Sequence, residues 1–193
     1  MKYIKPVREH FRKFPVFTIQ DIKVFLSQYR VNGPYIHTLV HHLREKGELK
    51  RIGRGVYSFR EEAEIVGFAF SPFYYGLQEA LSLRGLWEQE TNPVVITCRR
   101  VRPGLRTILG ANVLVRKIER KMFFGYGMVR YYDLWLPVSD VEKTLIDFVY
   151  FREPLAPEVL REMKKRIRKK LLDAYLRKVP APVARRVIGL LKA

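Results

Sequence analysis

His37 and His41 stand four residues apart, the spacing that lets two imidazoles on one helical face chelate a metal, with His42 beside them. No third ligand accompanies them, so polar side chains on an exposed helix face are the simpler reading. Glu119-Arg120-Lys121 has the Glu-x-Lys form of metal-dependent nucleases, in which a carboxylate holds Mg²⁺ and a lysine steadies the attacking water. Such nucleases need a further acid on the preceding strand, and residues 91 to 116 contain no Asp or Glu. Asp140, Glu142, Lys143 and Asp147 form an acid-base cluster, but Ser139 and Glu142 have the Ser-x-x-Glu form of a helix capping box. Lys143 and Asp147 then fit a four-residue helical ion pair. The sequence lacks the Gly-x-x-x-x-Gly-Lys phosphate loop, the Gly-x-Ser-x-Gly elbow and the His-Glu-x-x-His zinc motif. The chain is therefore expected to be no enzyme and to hold no metal and no cofactor.

The elements that would position such residues are clearest between Phe17 and Phe59, which reads as helix, turn, helix and hairpin. Thr18 with Asp21 has the form of an N-terminal cap, and Ile22, Phe25, Leu26 and Tyr29 share one helical face. Asn32-Gly33-Pro34 gives a turn, a cap and a proline at the start of a second helix. There Ile36, Leu39, Val40 and Leu43 face inward, and Gly47 ends the run. Tyr35, Thr38, His41, His42 and Glu45 are left facing outward, with His37 and Arg44 on the flanks, and several of these can hydrogen-bond to base edges. Lys50-Arg51-Ile52 then turns over Gly53-Arg54-Gly55 into Val56-Tyr57-Ser58. This hairpin puts Lys50, Arg51 and Arg54 where a wing meets phosphate. Ile4, Val7, Phe11 and Phe14 have the spacing of a first helix, ended by Pro15. The order is that of a winged helix-turn-helix, and residues 1–62 are expected to form a DNA-binding domain.

Composition agrees with a polyanionic partner. The 193 residues carry a formal charge of +18, with a pI near 10.2, a field that favours and accelerates capture of nucleic acid. At 48% hydrophobic residues the chain can bury a real core. No apolar run approaches the ~18 residues of a spanning helix, and the N-terminus lacks a secretion signal's hydrophobic stretch. No membrane association is expected, and the expected location is cytoplasmic. The single cysteine, Cys98, excludes an intrachain disulfide and a multi-cysteine metal site, and lies in the apolar run Val94–Cys98 as a small strand residue.

After the acidic link Arg60–Glu64 a second pattern begins, and residues 63–193 are expected to form an α+β domain. A helix is predicted from Ser71-Pro72 to about Leu86. Strands follow at Pro93–Cys98, Ala111–Ile118, Phe123–Val129 and Asp133–Val138, expected as a small antiparallel sheet. A helix capped by Ser139 carries the stripe Val141, Leu145, Ile146 and Val149. Two proline-entered helices, from Pro157 to about Lys178 and from Pro182 to Lys192, close the chain. From Arg152 onward thirteen Arg and Lys face four acidic residues, an excess suited either to phosphate or to an acidic protein surface.

The segments Tyr74-Tyr75-Gly76-Leu77-Gln78-Glu79-Ala80-Leu81-Ser82-Leu83-Arg84-Gly85-Leu86 and Val138-Ser139-Asp140-Val141-Glu142-Lys143-Thr144-Leu145-Ile146-Asp147, with the wing Gly53-Arg54-Gly55-Val56-Tyr57, resemble the AbiEi family. These are antitoxins of abortive-infection toxin-antitoxin systems, also described as transcriptional regulators of viral defence. The resemblance covers about Phe14 to Tyr150. It implies an N-terminal winged helix that represses its own operon at inverted repeats in double-stranded DNA. It also implies a C-terminal domain that counters a nucleotidyltransferase-like toxin encoded nearby. Tyr75, Leu81, Gly85, Glu142, Lys143 and Asp147 match the shared pattern, as structural or toxin-facing residues. The chain departs from that pattern in its short length and its basic terminal helices.

The reading is thus a two-domain, non-enzymatic DNA-binding regulator. A stand-alone transcription factor whose second domain senses a small ligand is the alternative, and a DNA-targeted nuclease a more distant one. A nucleotidyltransferase-like neighbouring gene would favour the antitoxin, and chelator-sensitive cleavage the nuclease.

Overall fold

The computed structural model describes residues 2–88 and 92–192. The fold is α+β: an N-terminal helix-turn-helix module, then a sheet domain with C-terminal helices. Two compact units divide the chain, one running through Ser71 with Thr107–Ala111, the other Pro72–Arg106 with Asn112 onward.

In the first unit, α1 (Ile4–Phe11) is followed by β1 (Phe17–Thr18), α2 (Ile19–Ser27), α3 (Gly33–Glu45), β2 (Lys50–Gly53) and β3 (Val56–Ser58). The expected cap of α2 is a full capping box. Asp21 N–H donates to Thr18 Oγ1 at 3.2 Å, and the Asp21 carboxylate accepts from Thr18 N–H at 2.7 Å. Asn32 caps α3 by accepting from Tyr35 N–H at 3.1 Å. At the other end Gly47 takes φ +69 while Glu48 N–H donates to the Leu43 carbonyl and Gly47 N–H to that of Arg44, a Schellman stop that glycine suits best.

β1 is only two residues long and was not foreseen. It pairs with β3, Phe17 opposite Tyr57, so the sheet order is β1-β3-β2. Val7, Phe11, Phe17, Ile22, Leu26, Ile36, Leu39, Leu43 and Tyr57 fill one core between the helices and this sheet. Arg8 clamps the base of α1 to Glu48 beyond α3, its Nη2 2.6 Å from the carboxylate. Phe14, expected inward, is exposed because α1 ends at Phe11. The unit also runs past the boundary expected near residue 62. A 3-10 helix, Ala63–Phe70, lies against β2 so closely that a Cβ on Gly53 would sit 2.9 Å from that of Ala69.

The second unit is built on a six-stranded sheet of β4 (Phe73–Tyr75), β5 (Val94–Thr97), β6 (Gly104–Ile108), β7 (Ala111–Lys117), β8 (Tyr126–Tyr131) and β9 (Leu134–Ser139), ordered β6-β7-β5-β4-β9-β8, of which only Thr107, Ile108 and Ala111, at the turn between β6 and β7, group with the first unit. Three expectations are corrected here. The helix predicted from Ser71 starts only at α4 (Leu77–Leu83), because the aromatic run Phe73-Tyr74-Tyr75 forms the strand between β5 and β9, where a pleated backbone buries all three rings. The sheet is mixed rather than antiparallel, with β4 parallel to β9 and β5 parallel to β7. The strand expected from Phe123 starts at Tyr126, after a 3-10 turn at Arg120–Met122.

Four helices follow: α5 (Val141–Phe151), α6 (Pro157–Arg166), α7 (Lys169–Leu176) and α8 (Ala181–Lys192). The helix predicted from Pro157 to Lys178 is therefore broken, at Ile167 and Arg168, whose ψ angles of 127° and 101° are extended. The break has a cause: Arg168 N–H is taken by the Glu142 carboxylate at 2.6 Å. Tyr74, Leu77, Leu81, Ile96, Leu145, Ile146, Met163, Leu172 and Val187 join sheet and helices in one core.

Candidate nucleic-acid interface

The inward stripe of α3 buries Ile36, Leu39, Val40 and Leu43, which turns the opposite face to solvent. His37, Thr38, His41, Arg44 and Glu45 are exposed there, with the i, i+4, i+7 spacing of His37, His41 and Arg44 making one strip. Thr38 Oγ1 donates back to the Pro34 carbonyl at 3.1 Å, leaving its lone pairs outward. Two expected members of this face sit differently. Tyr35 leans toward the N-terminal helix, its hydroxyl accepting from Tyr3 N–H at 3.2 Å and its ring edge-on to that of Tyr3, because a half-buried phenol needs a partner. His42 is half-buried on the flank.

The wing follows directly. β2 carries a register shift between Arg51 and Gly53, a bulge that buries Ile52 and turns Arg51 outward. Arg51 Nε donates to the Gly53 carbonyl at 3.2 Å, which fixes the side chain along the hairpin. Arg54 is exposed at the tip, and Gly55 at φ +73 closes the turn. Lys50 lies 2.9 Å from the exposed Glu61, a surface pair that holds weakly in water. One helix face and one wing of the first unit thus present hydrogen-bonding and cationic groups suited to base edges and phosphates respectively.

The motif of the second unit is arranged otherwise. Asp140, not Ser139, caps α5, accepting from Lys143 N–H at 2.7 Å. Ser139 ends β9 and shares a 2.7 Å hydrogen bond with Thr144 Oγ1. The two residues are equally good caps by type, and the strand extends one position further than expected. Glu142 therefore makes no capping box. Its carboxylate accepts from Arg168 N–H at 2.6 Å, Nε at 3.1 Å and Nη2 at 3.2 Å. Burial pushes its pKa up, but these charge-assisted bonds outweigh burial and hold it below the ordinary carboxylate range.

Lys143 and Asp147 do pair, with both side chains fully buried rather than on a solvated helix face. Tyr74 completes the group: Lys143 Nζ donates to its hydroxyl at 3.0 Å, and the hydroxyl donates to Asp147 Oδ2 at 3.0 Å. Burial pushes the Lys143 ammonium pKa down and the Asp147 carboxyl up, and the mutual attraction offsets burial only in part. Burial and then Asp147 push Tyr74 well above a normal phenol. Tyr175 donates to Asp140 Oδ2 at 2.7 Å, and its pKa is pushed up to about 12 by burial and that bond. Gly125, at φ +71, lets the chain pass where a Cβ would meet Lys143 Cβ at 2.8 Å.

Leu81 and Gly85 belong to another helix stop. Leu86 N–H donates to the Leu81 carbonyl and Gly85, at φ +62, to that of Ser82, again a Schellman motif. Tyr75, Leu81, Glu142, Lys143 and Asp147 are all buried, so their side chains meet other parts of this chain.

Sequence reasoning missed Tyr74, Arg168 and Tyr175 as members of this network. Tyr74 was legible, standing inside the quoted motif, whereas Arg168 and Tyr175 reach Glu142 and Asp140 from distant helices with no local signal. Glu119 and Lys121 pair with each other at 2.9 Å on the exposed 3-10 turn. Among the described residues no group of three or more His, Cys, Asp or Glu side chains is placed to hold a metal ion. No helix among them is long and apolar enough to cross a membrane.

The helix-turn-helix geometry meets an independent finding. Residues 5–60 match the family described as "Transcriptional regulator, AbiEi antitoxin". The match spans α1 to β3 and includes every exposed residue of α3 and the wing described above. No curated protein matches the chain.

Proposed function

We propose that this protein is a non-enzymatic, cytoplasmic DNA-binding regulator, the antitoxin of an AbiE-type system that represses its own operon and counters a nucleotidyltransferase-like toxin. The observation that carries the reading is the exposed strip His37, Thr38, His41 and Arg44 on α3, flanked by Arg51 and Arg54 on the wing, within the segment that matches the regulator family. In this reading α3 lies in the major groove of an inverted-repeat operator, Thr38 and His41 read base edges, and Arg44, Lys50, Arg51 and Arg54 bind phosphates. Tyr35 and His42 support the helix from its flanks.

The test is binding and footprinting on the DNA upstream of the chain's own gene. A protected inverted repeat, with EDTA present, is the expected result, and indifference between that DNA and random duplex would overturn it. Suppression of toxicity when the chain is co-expressed with its neighbouring gene tests the antitoxin half.

A second reading, a regulator that senses a small ligand, draws on a groove of about 530 Å³ lined by Phe148, Val149, Leu155 and Leu190 with Arg152, Arg186 and Glu153, the last already paired with Arg116. An apolar floor with two arginines suits a small organic anion.

A further inference from the structure

The winged-helix unit holds the smaller part of the chain's charge. The first unit has thirteen Arg and Lys against seven Asp and Glu, a net of +6, whereas the second has twenty-four against twelve, a net of +12. A regulator that met nucleic acid through its wing and α3 alone would leave two-thirds of its net positive charge without a use.

The second unit also shows an exposed aromatic face. Among the described residues β8 is an edge strand with β9 as its sole neighbour in the sheet order, and Arg130 stands directly opposite Trp135, Met128 opposite Pro137. Cross-strand partners and alternate residues share a face, so Tyr126, Met128, Arg130 and Trp135 point the same way. That face is open: Trp135 is 58% exposed and Met128 56%. Tyr126 lies flat on the buried Tyr74 ring, 5.2 Å between centroids, which leaves its outer side to solvent.

At the hairpin tip Tyr132 is 82% exposed and adopts φ +50, a conformation that glycine or asparagine would take at less cost. Its carbonyl accepts from Arg130 Nε at 3.2 Å, which holds the guanidinium along the face. At the other end Lys178, just past α7, lies 5.5 Å from the Phe124 ring, two residues before Tyr126. Neither Arg130 nor Lys178 is paired with a carboxylate among the described residues.

We propose that this face, Tyr126, Met128, Arg130, Tyr132 and Trp135 with Lys178 at its margin, binds an unpaired nucleic-acid strand by stacking bases on the aromatic rings and placing phosphates on the cations. Exposed rings on a strand face within a basic surround are the arrangement that such strands use, since every base has a stacking face and every nucleotide a charge. A protein partner would also find Trp, Tyr, Met and Arg useful. The +12 of this unit, with Arg130 and Lys178 bordering the rings against one exposed carboxylate at the tip, Asp133, favours the strand. The inference is independent of operator binding, which uses residues of the other unit.

Fluorescence anisotropy of the full-length protein with labelled oligo(U), oligo(dT) and a random duplex tests it. At least one of the single strands is expected to bind and to quench Trp135 emission, and which of them binds tells RNA from DNA. Trp135→Ala should weaken that binding by roughly 5- to 150-fold while Trp135→Phe keeps most of it, and duplex binding should change by no more than about twofold. Tyr132→Ala, at an exposed turn position, should act in the same direction and provides a second variant if Trp135→Ala folds poorly. Arg54→Ala should affect the duplex and spare the oligonucleotides. Absence of binding by both single strands, or equal weakening of single strand and duplex in the aromatic variants, would overturn the proposal and leave the face to a protein partner.

Discussion

The backbone N–H of Arg168 reaches the Glu142 carboxylate across 26 positions of sequence, and the Arg168 guanidinium grips the same group. One carboxylate therefore both ends α6 and seats α7 on α5. Its pKa is held low in the folded protein, so its ionised form stabilises the fold. The sign follows: that stability is fully present above the unfolded pKa of about 4.3 and is lost as pH falls through the folded value. Glu142→Gln should be less stable than the parent at neutral pH by about 1.5–3 kcal/mol, the range for bonds to a charged group. The gap should close in acid. Thermal melts across that range check it, and a gap that persists unchanged in acid would count against the linkage.

Tyr74, Lys143 and Asp147 form a closed set in which each partner satisfies the others. Asp147→Leu or Lys143→Met alone should cost about 3–5 kcal/mol, because each leaves a buried charge uncompensated. The combination Tyr74→Phe, Lys143→Met and Asp147→Leu should recover most of that loss, since nothing polar is then left buried without a partner. Denaturant unfolding of the variants decides. Additive losses would show that the three side chains do not act as a unit.

Capping of α5 is assigned to Asp140. Asp140→Ala should destabilise by at least the 0.5–2 kcal/mol typical of a lost cap, since the Tyr175 hydroxyl loses its acceptor as well. Sequence preference on DNA should be unaffected in this variant, which separates scaffold from recognition. Operator titrations beside melting curves provide both readouts.

On α3, Thr38→Ala or His41→Ala should cost on the order of 1–3 kcal/mol at the operator and little on random duplex if the residue reads a base edge. Arg51→Ala or Arg54→Ala should instead weaken both alike and flatten the salt dependence by about one charge. Binding isotherms at several salt concentrations tell the two apart. A salt slope unchanged in the arginine variants would remove the wing from the contact surface.

The winged-helix unit was legible because its signals are local. Caps at Thr18 and Asn32, a stop at Gly47 and inward residues repeating at helical spacing lie close together in sequence. β1 escaped because two residues make no periodicity, and it exists through pairing with β3. The second unit was legible in class more than in detail. Phe73-Tyr74-Tyr75 looks like the start of a helix after Ser71-Pro72 until its two strand neighbours are known, and parallel pairing of β4 with β9 joins segments some sixty residues apart. The break at Arg168 likewise has no cause near it, since its partner is Glu142.

The polar cluster around Asp147 has a bearing on how such chains are recognised in genomes. A signature built on Tyr75, Leu81, Glu142, Lys143 and Asp147 samples interior positions, where replacement by chance is punished by misfolding whatever the protein binds. Such a signature gathers chains that share an architecture. It is silent on exposed residues such as His37, Thr38 and His41, which can change without disturbing the core. Two chains alike in the first set and different in the second would be expected to fold alike and, where α3 reads the operator as proposed, to answer to different DNA.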